Sequence, residues 1–114
     1  MTKKDYKLND SPYKGADFIR ATVKYSKEYG GYIANYELLE DTGNGLIGKV
    51  FCREYYQSGG DGVYMLAMCG RRSAKKEKEA EERFNQVADE YAEKFIYYVC
   101  LKLLIPTIKI IKEV

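Results

Sequence analysis

The sequence predicts an α+β domain, an antiparallel meander of about four strands followed by one long C-terminal helix through which the chain dimerises. Three observations carry this expectation. Between Asp17 and Cys69, apolar and polar residues alternate in short runs separated by glycine-rich clusters, the period of half-buried strands joined by tight turns. Further on, Phe84, Val87, Ala88, Tyr91, Ala92, Phe95, Ile96 and Val99 step by three and four, which is the period of one helix face. From Phe95 the sequence then reads Phe-Ile-Tyr-Tyr-Val-Cys-Leu-Lys-Leu-Leu-Ile, so apolar residues surround nearly the whole helix, and such a helix is buried on all sides. One small sheet covers one side only. A second chain, or a C-terminal segment folding back, has to cover the other, and Phe95, Ile96, Val99, Leu103 and Leu104 are the expected dimer interface.

The elements follow in chain order. Residues 1–15 mix Lys, Asp, Asn, Ser and Pro with scattered tyrosines and no period, which reads as a flexible arm preceding a single domain at 16–114. From Asp17 to Tyr29 two readings compete. Ile19, Ala21, Val23 and Tyr25 alternate with Arg20, Thr22, Lys24 and Ser26, whereas a helix would gather only Ile19, Thr22, Val23 and Ser26; the alternation and the β-branched content favour a strand. Gly30-Gly31 fits a tight hairpin, followed by a strand in which Tyr32, Ala34, Tyr36 and Leu38 alternate with Ile33, Asn35, Glu37 and Leu39. Asp41-Thr42-Gly43-Asn44-Gly45 is a turn signal, Leu46 to Tyr56 a third strand, Gln57 to Gly62 a second turn, and Val63 to Cys69 a fourth strand. The helix is expected from Ser73 to Ile105, stopped by Pro106, which lacks an amide hydrogen. Thr107 to Val114 fits a short helix or an edge strand equally well.

Composition bounds the function. A chain of 114 residues has room for one core, and 46 % hydrophobic with 14 % aromatic content is enough to fold it. The net charge of +2 gives no general attraction to nucleic acid or membranes. Its distribution is more informative: Tyr32 to Gly70 is acidic, Arg71 to Lys78 strongly basic, Glu79 to Glu93 acidic, and Lys94 onward basic. Histidine is absent, which removes the commonest general base, the commonest metal ligand and every Ser/His or Cys/His pair. Cys52, Cys69 and Cys100 are odd in number and widely spaced, as expected of reduced thiols in a cytoplasmic protein rather than a disulfide framework or zinc site. The N-terminus has no apolar run of a secretory signal. The apolar C-terminal stretch is broken by Lys102, Pro106 and Lys109, short of the roughly 20 apolar residues of a membrane span. No cofactor, metal or membrane partner is indicated.

The polar feature with most content is Arg71, Arg72, Lys75, Lys76 and Lys78 at the expected helix start. Exposed amides and the helix dipole already make that end positive, so each cation there is disfavoured by about 0.3–1 kcal/mol. A bound phosphate would relieve the repulsion, whereas a merely solvated face would pair Lys75 with Glu79 and Lys78 with Glu82. Tyr25, Tyr29, Tyr32, Tyr36, Tyr55, Tyr56 and Tyr64 fall in or beside strands, where they serve as cross-strand core or as stacking platforms; Tyr55 and Tyr56 are the stacking candidates. Gly59, Gly60 and Gly62 lack the context of a phosphate loop. Glu37, Glu40, Asp41, Glu54 and Asp61 read as surface charge.

Two short likenesses point to nucleic-acid modules. Tyr36-Glu37-Leu38-Leu39-Glu40-Asp41-Thr42-Gly43, with Gly70-Arg71-Arg72-Ser73-Ala74-Lys75-Lys76 two strands later, resembles the first strand and second-helix start of a double-stranded RNA-binding domain, a family that also has a first helix and a loop histidine. Arg53-Glu54-Tyr55-Tyr56 at a strand end, within four strands followed by a helix, is similar to the whirly and transcriptional-coactivator type of single-stranded DNA binder. Each likeness covers well under half the chain. The resulting expectation is a non-enzymatic homodimeric module that engages nucleic acid or a nucleic-acid-processing complex through Arg71, Arg72, Lys75, Lys76 and Lys78. The rival is an inhibitor or protein-interaction module, of the kind carried by phages and mobile elements, whose acidic sheet face imitates nucleic acid.

Overall fold

The computed structural model describes residues 2–8, 16–48, 62–67, 71–104 and 108–113. Strands β1 (Lys3–Leu8), β2 (Phe18–Ser26), β3 (Gly31–Asp41), β4 (Leu46–Gly48) and β5 (Val63–Ala67) precede helix α1 (Ala74–Leu103), and β6 (Ile110–Glu113) follows it. All pairings are antiparallel, in the order β4-β3-β2-β1-β6, with β5 also on β3. The expected antiparallel strands with a long helix after them are therefore present, enlarged by a strand at each end of the chain; the order departs from a simple meander, because β5 returns to pair with β3.

Within 17–29, Phe18–Ser26 forms strand β2, as the alternation predicts. Ile19, Ala21 and Val23 are buried while Arg20, Thr22 and Lys24 face the opposite side. On β3, Tyr32, Ala34, Tyr36 and Leu38 point into the core as expected. The hairpin between them differs from a two-glycine turn: residues 27–30 form the loop and Ser26 pairs with Gly31. Gly30 takes the positive φ of 73° that closes it, leaving Gly31 free to begin β3. Of the third expected strand, Leu46–Gly48 is described; residues 49–61, with most of the second turn, lie outside the described residues, as do Cys52, Cys69 and Pro106.

The expected flexible arm is corrected in its first half. Lys3–Leu8 forms β1 and sits between β2 and β6 inside the sheet. Its alternation is muted because only Tyr6 and Leu8 are buried, and the lysines opposite them, Lys3 and Lys7, give the segment the composition of a solvated tail. Asp5 stands directly across from Arg20 and accepts from it in fork geometry at 2.8 and 3.0 Å. These hydrogen bonds, and the charges of Asp5 and Glu37, push the guanidinium pKa up against the opposing effect of burial.

Helix α1 lies across the sheet and spans most of the molecule, whose principal extents are 41 × 27 × 24 Å; thirty residues at about 1.5 Å each give about 45 Å. Ala80, Phe84, Val87, Ala88, Ala92, Phe95, Ile96, Val99 and Cys100 face the core. Burial of each large apolar side chain among these contributes about 1.5–3 kcal/mol. Past Phe95 the inward side of the helix is covered within the same chain, while the outward side stays open at Tyr97 and Leu101. Phe95 and Ile96 are 0 % exposed and Val99 1 %, and Ile108 is buried beside Cys100, its amide donating to Cys100 Sγ at 3.5 Å. The returning segment continues as β6, so Thr107 to Val114 resolves as an edge strand at Ile110–Glu113.

Tyrosines join the two layers. Tyr36 donates its hydroxyl to the Ala88 carbonyl at 2.7 Å, Tyr6 donates to Asp89 at 2.7 Å, and Tyr64 stacks on Tyr91 at 4.6 Å between centroids. Burial pushes the Tyr36 phenol well above the usual tyrosine range, and burial likewise raises the Cys100 thiol. Both groups hold their protons longer in the folded state than in the unfolded one. Their contribution is complete below the unfolded values and is lost as pH climbs through the folded ones, with a slope of about 1.4 kcal/mol per pH unit and per proton. Stability measured by urea unfolding should therefore fall above pH ~10, and Tyr36→Phe should show a shallower alkaline fall while losing about 1 kcal/mol at neutral pH with its hydrogen bond. Equal alkaline slopes in the two proteins would show that Tyr36 is not held neutral by the fold.

Candidate functional site

The basic cluster lies where the helix meets the β2–β3 hairpin. Ser73 is the N-cap; its hydroxyl accepts from the Lys76 amide at 3.2 Å, satisfying one of the helix's unpaired donors. Its carbonyl accepts from the Glu77 amide at 2.9 Å and from the Tyr32 hydroxyl at 3.2 Å. Tyr32 thus anchors the helix start to the hairpin. Directly across the hairpin, Tyr25 pairs with Tyr32, the rings meeting edge to face at 5.3 Å.

Arg72, one residue before the cap, places its guanidinium over the Tyr25 ring at 5.9 Å, within range of a cation–π contact. A pocket of about 190 Å³ opens here, lined by Val23, Lys24, Tyr25, Tyr32, Arg72, Glu77 and Glu81. Arg71, Lys75 and Lys78 are exposed beside it and Lys76 is half-buried. The pairing expected of a merely solvated face is missing: among the described residues, neither Lys75 with Glu79 nor Lys78 with Glu82 makes an ion pair, whereas Lys94 and Glu90 do at 4.0 Å. Arg71, Arg72, Lys75, Lys76 and Lys78 therefore share one end of the molecule. Tyr55 and Tyr56 lie outside the described residues.

Tyr25 and Tyr32 belong to this site although the cluster alone does not announce them. Tyr25 and Tyr32 flank the hairpin loop at matching register, so their proximity follows from the turn; their meeting with Arg72 depends on where the helix lands. Of the acidic set, Glu37 is half-buried on the face of Arg20, and Asp41 accepts from the Gly43 amide in its own turn; Glu54 and Asp61 lie outside the described residues. Among the described residues no three Cys, Asp or Glu side chains converge as a metal would require, and no described helix is long and apolar enough to cross a membrane.

The far end of α1 shows the opposite character. Phe95, Ile96 and Val99, expected at a dimer interface, are consumed by the chain's own core. Tyr97 and Leu101 are 57 % exposed and Leu104 92 %, spaced by four and three on the outward helix face; the Leu103 side chain lies outside the description. Leu104 is the C-cap at φ 56°, ψ 42°, its amide bonded to the Cys100 and Leu101 carbonyls. Glycine is the usual residue in that left-handed conformation.

No protein-family model matches the chain, and comparison with curated proteins and with solved structures likewise finds no match.

Because Leu104 gains almost no burial and adopts a conformation that costs an L-residue about 1 kcal/mol, Leu104→Gly should raise the urea midpoint, a stabilisation of about 0.5–1 kcal/mol. A lower midpoint would mean that the leucine side chain contributes packing that its exposure does not reveal.

Proposed function

We propose that the protein is a non-enzymatic binding module that engages nucleic acid through the amino-terminal end of α1. The observation that supports this reading best is the Arg72 guanidinium laid over Tyr25, with Arg71, Lys75 and Lys78 exposed around it and, among the described residues, without ion pairs. Uncompensated cations at the positive end of a helix destabilise the free protein, and a polyanion offsets that cost. Phosphates supply the charge, and the Arg–Tyr surface suits the flat faces of bases. Changing Arg71, Arg72, Lys75, Lys76 and Lys78 together to Ala should abolish binding of a labelled oligonucleotide in fluorescence anisotropy. In the native chain log K should fall with log salt, at a slope set by about 0.7–0.9 per phosphate contact. Salt-independent binding, or binding that survives all five substitutions, would refute the assignment.

The second reading, homodimerisation as part of a protein-interaction or inhibitor module, now draws on Tyr97, Leu101 and Leu104 rather than on Phe95, Ile96 and Val99. An exposed leucine held in a costly backbone conformation suits a contact outside the fold. Light scattering should give twice the chain mass for the native protein and a single mass for Leu101→Asp with Leu104→Asp; a native protein of single mass would remove this reading.

A further inference from the structure

The pocket beside Arg72 has a chemistry that phosphate binding alone leaves unexplained. It brings one cation, Arg72, and two carboxylates, Glu77 and Glu81, around Tyr25 and Tyr32. A phosphate site gains nothing from carboxylates, which repel the ligand. Nor do these charges neutralise one another: among the described residues no ion pair joins Arg72 to Glu77 or Glu81. Glu81 accepts from the Thr2 hydroxyl at 2.8 Å through one oxygen, which orients the carboxylate and leaves its second oxygen available as an acceptor.

Such a pocket offers donors and acceptors side by side next to an aromatic and guanidinium wall. Its approximately 190 Å³ holds one small planar group. Among the nucleobases, guanine is the one whose Watson–Crick edge sets two adjacent N–H donors beside a carbonyl acceptor. A carboxylate accepts from the ring N–H and the exocyclic amine together, while arginine donates to the carbonyl oxygen or the neighbouring ring nitrogen. Cytosine and adenine each present an amine beside an unprotonated ring nitrogen, which faces a carboxylate with repulsion. Unpaired bases are read in this way, splayed from the strand, stacked on aromatic or arginine planes and bonded along that edge.

The geometry points to a pocket for one unpaired guanine, formed by Tyr25, Tyr32, Arg72, Glu77 and Glu81, that gives the module sequence preference. This rests on the nucleic-acid reading above: Arg71, Lys75 and Lys78 hold the backbone while the pocket reads the base.

The test uses the full chain and labelled ten-nucleotide strands in fluorescence anisotropy, identical except for one central guanine, inosine, adenine or cytosine, prepared as DNA and as RNA. The guanine strand is expected to bind roughly tenfold more tightly than the adenine or cytosine strand, with inosine, which lacks the exocyclic amine, in between. A duplex with that guanine paired is expected to lose the preference, and the two backbones show which polymer presents the base. Glu77→Gln, at an exposed position, and Glu81→Gln are each expected to collapse the preference without weakening the adenine strand, with circular dichroism confirming the fold. Salt-sensitive binding with equal affinity for all four strands overturns the guanine pocket and leaves the phosphate site standing. Absence of binding by every strand overturns both.

Discussion

Tyr36 sets the separation between the two layers of this protein. Its ring lies on the inner face of β3 and its hydroxyl reaches a helix carbonyl at 2.7 Å, so the helix is held one tyrosine length from the sheet. Ala80, Ala88 and Ala92 make this possible: with nothing beyond Cβ, they let the large tyrosine side chains of the sheet fit beneath the helix at native packing density. Tyr6 and Tyr64 repeat the contact at Asp89 and Tyr91. With the helix fixed there in height and register, its first turn arrives over Tyr25 and Tyr32, and Arg72 has an aromatic ring to lie on.

The outward face of the helix changes character along its length. It begins with Lys75 and Lys78, passes through exposed Glu79, Glu82, Glu90 and Glu93, and ends with Tyr97, Leu101 and Leu104. The acidic middle contributes little to stability, since exposed pairs such as Glu90 with Lys94 are worth less than about 1 kcal/mol. Its effect is spatial. It separates the cationic first turns from the apolar end, so two surfaces of different chemistry coexist on one element.

Much of the architecture was legible because period decides it. Alternation identified β2 and the inner face of β3, and the three-four spacing identified the helix to within two residues at either end. The strand β1 was hidden because its buried residues are only Tyr6 and Leu8, and its outward residues are those of a solvated tail. The dimer expectation named Phe95, Ile96 and Val99 because sequence reports that a face must be covered but not by what; here Ile108 and the returning strand do it. Leu104 kept its exposure for a local reason, the left-handed cap, which no hydropathy pattern encodes. At the candidate site the cations were visible as a cluster, whereas Glu77 and Glu81 looked like ordinary surface charge. They become a site only through the placement of the helix start on the hairpin, a tertiary fact.

The pairing of β1 with β6 joins residues 3–8 to residues 110–113, the longest loop closure in the sheet. During synthesis β6 leaves the ribosome only after all the other described elements, so β1 waits with an open edge until then. Open edges invite pairing with other strands, and contacts this distant in sequence slow folding. Lys3 and Lys7, which point away from the core, are charges of the kind that discourage such an edge from recruiting another strand. The composition that disguises this strand as a tail also protects it while it waits.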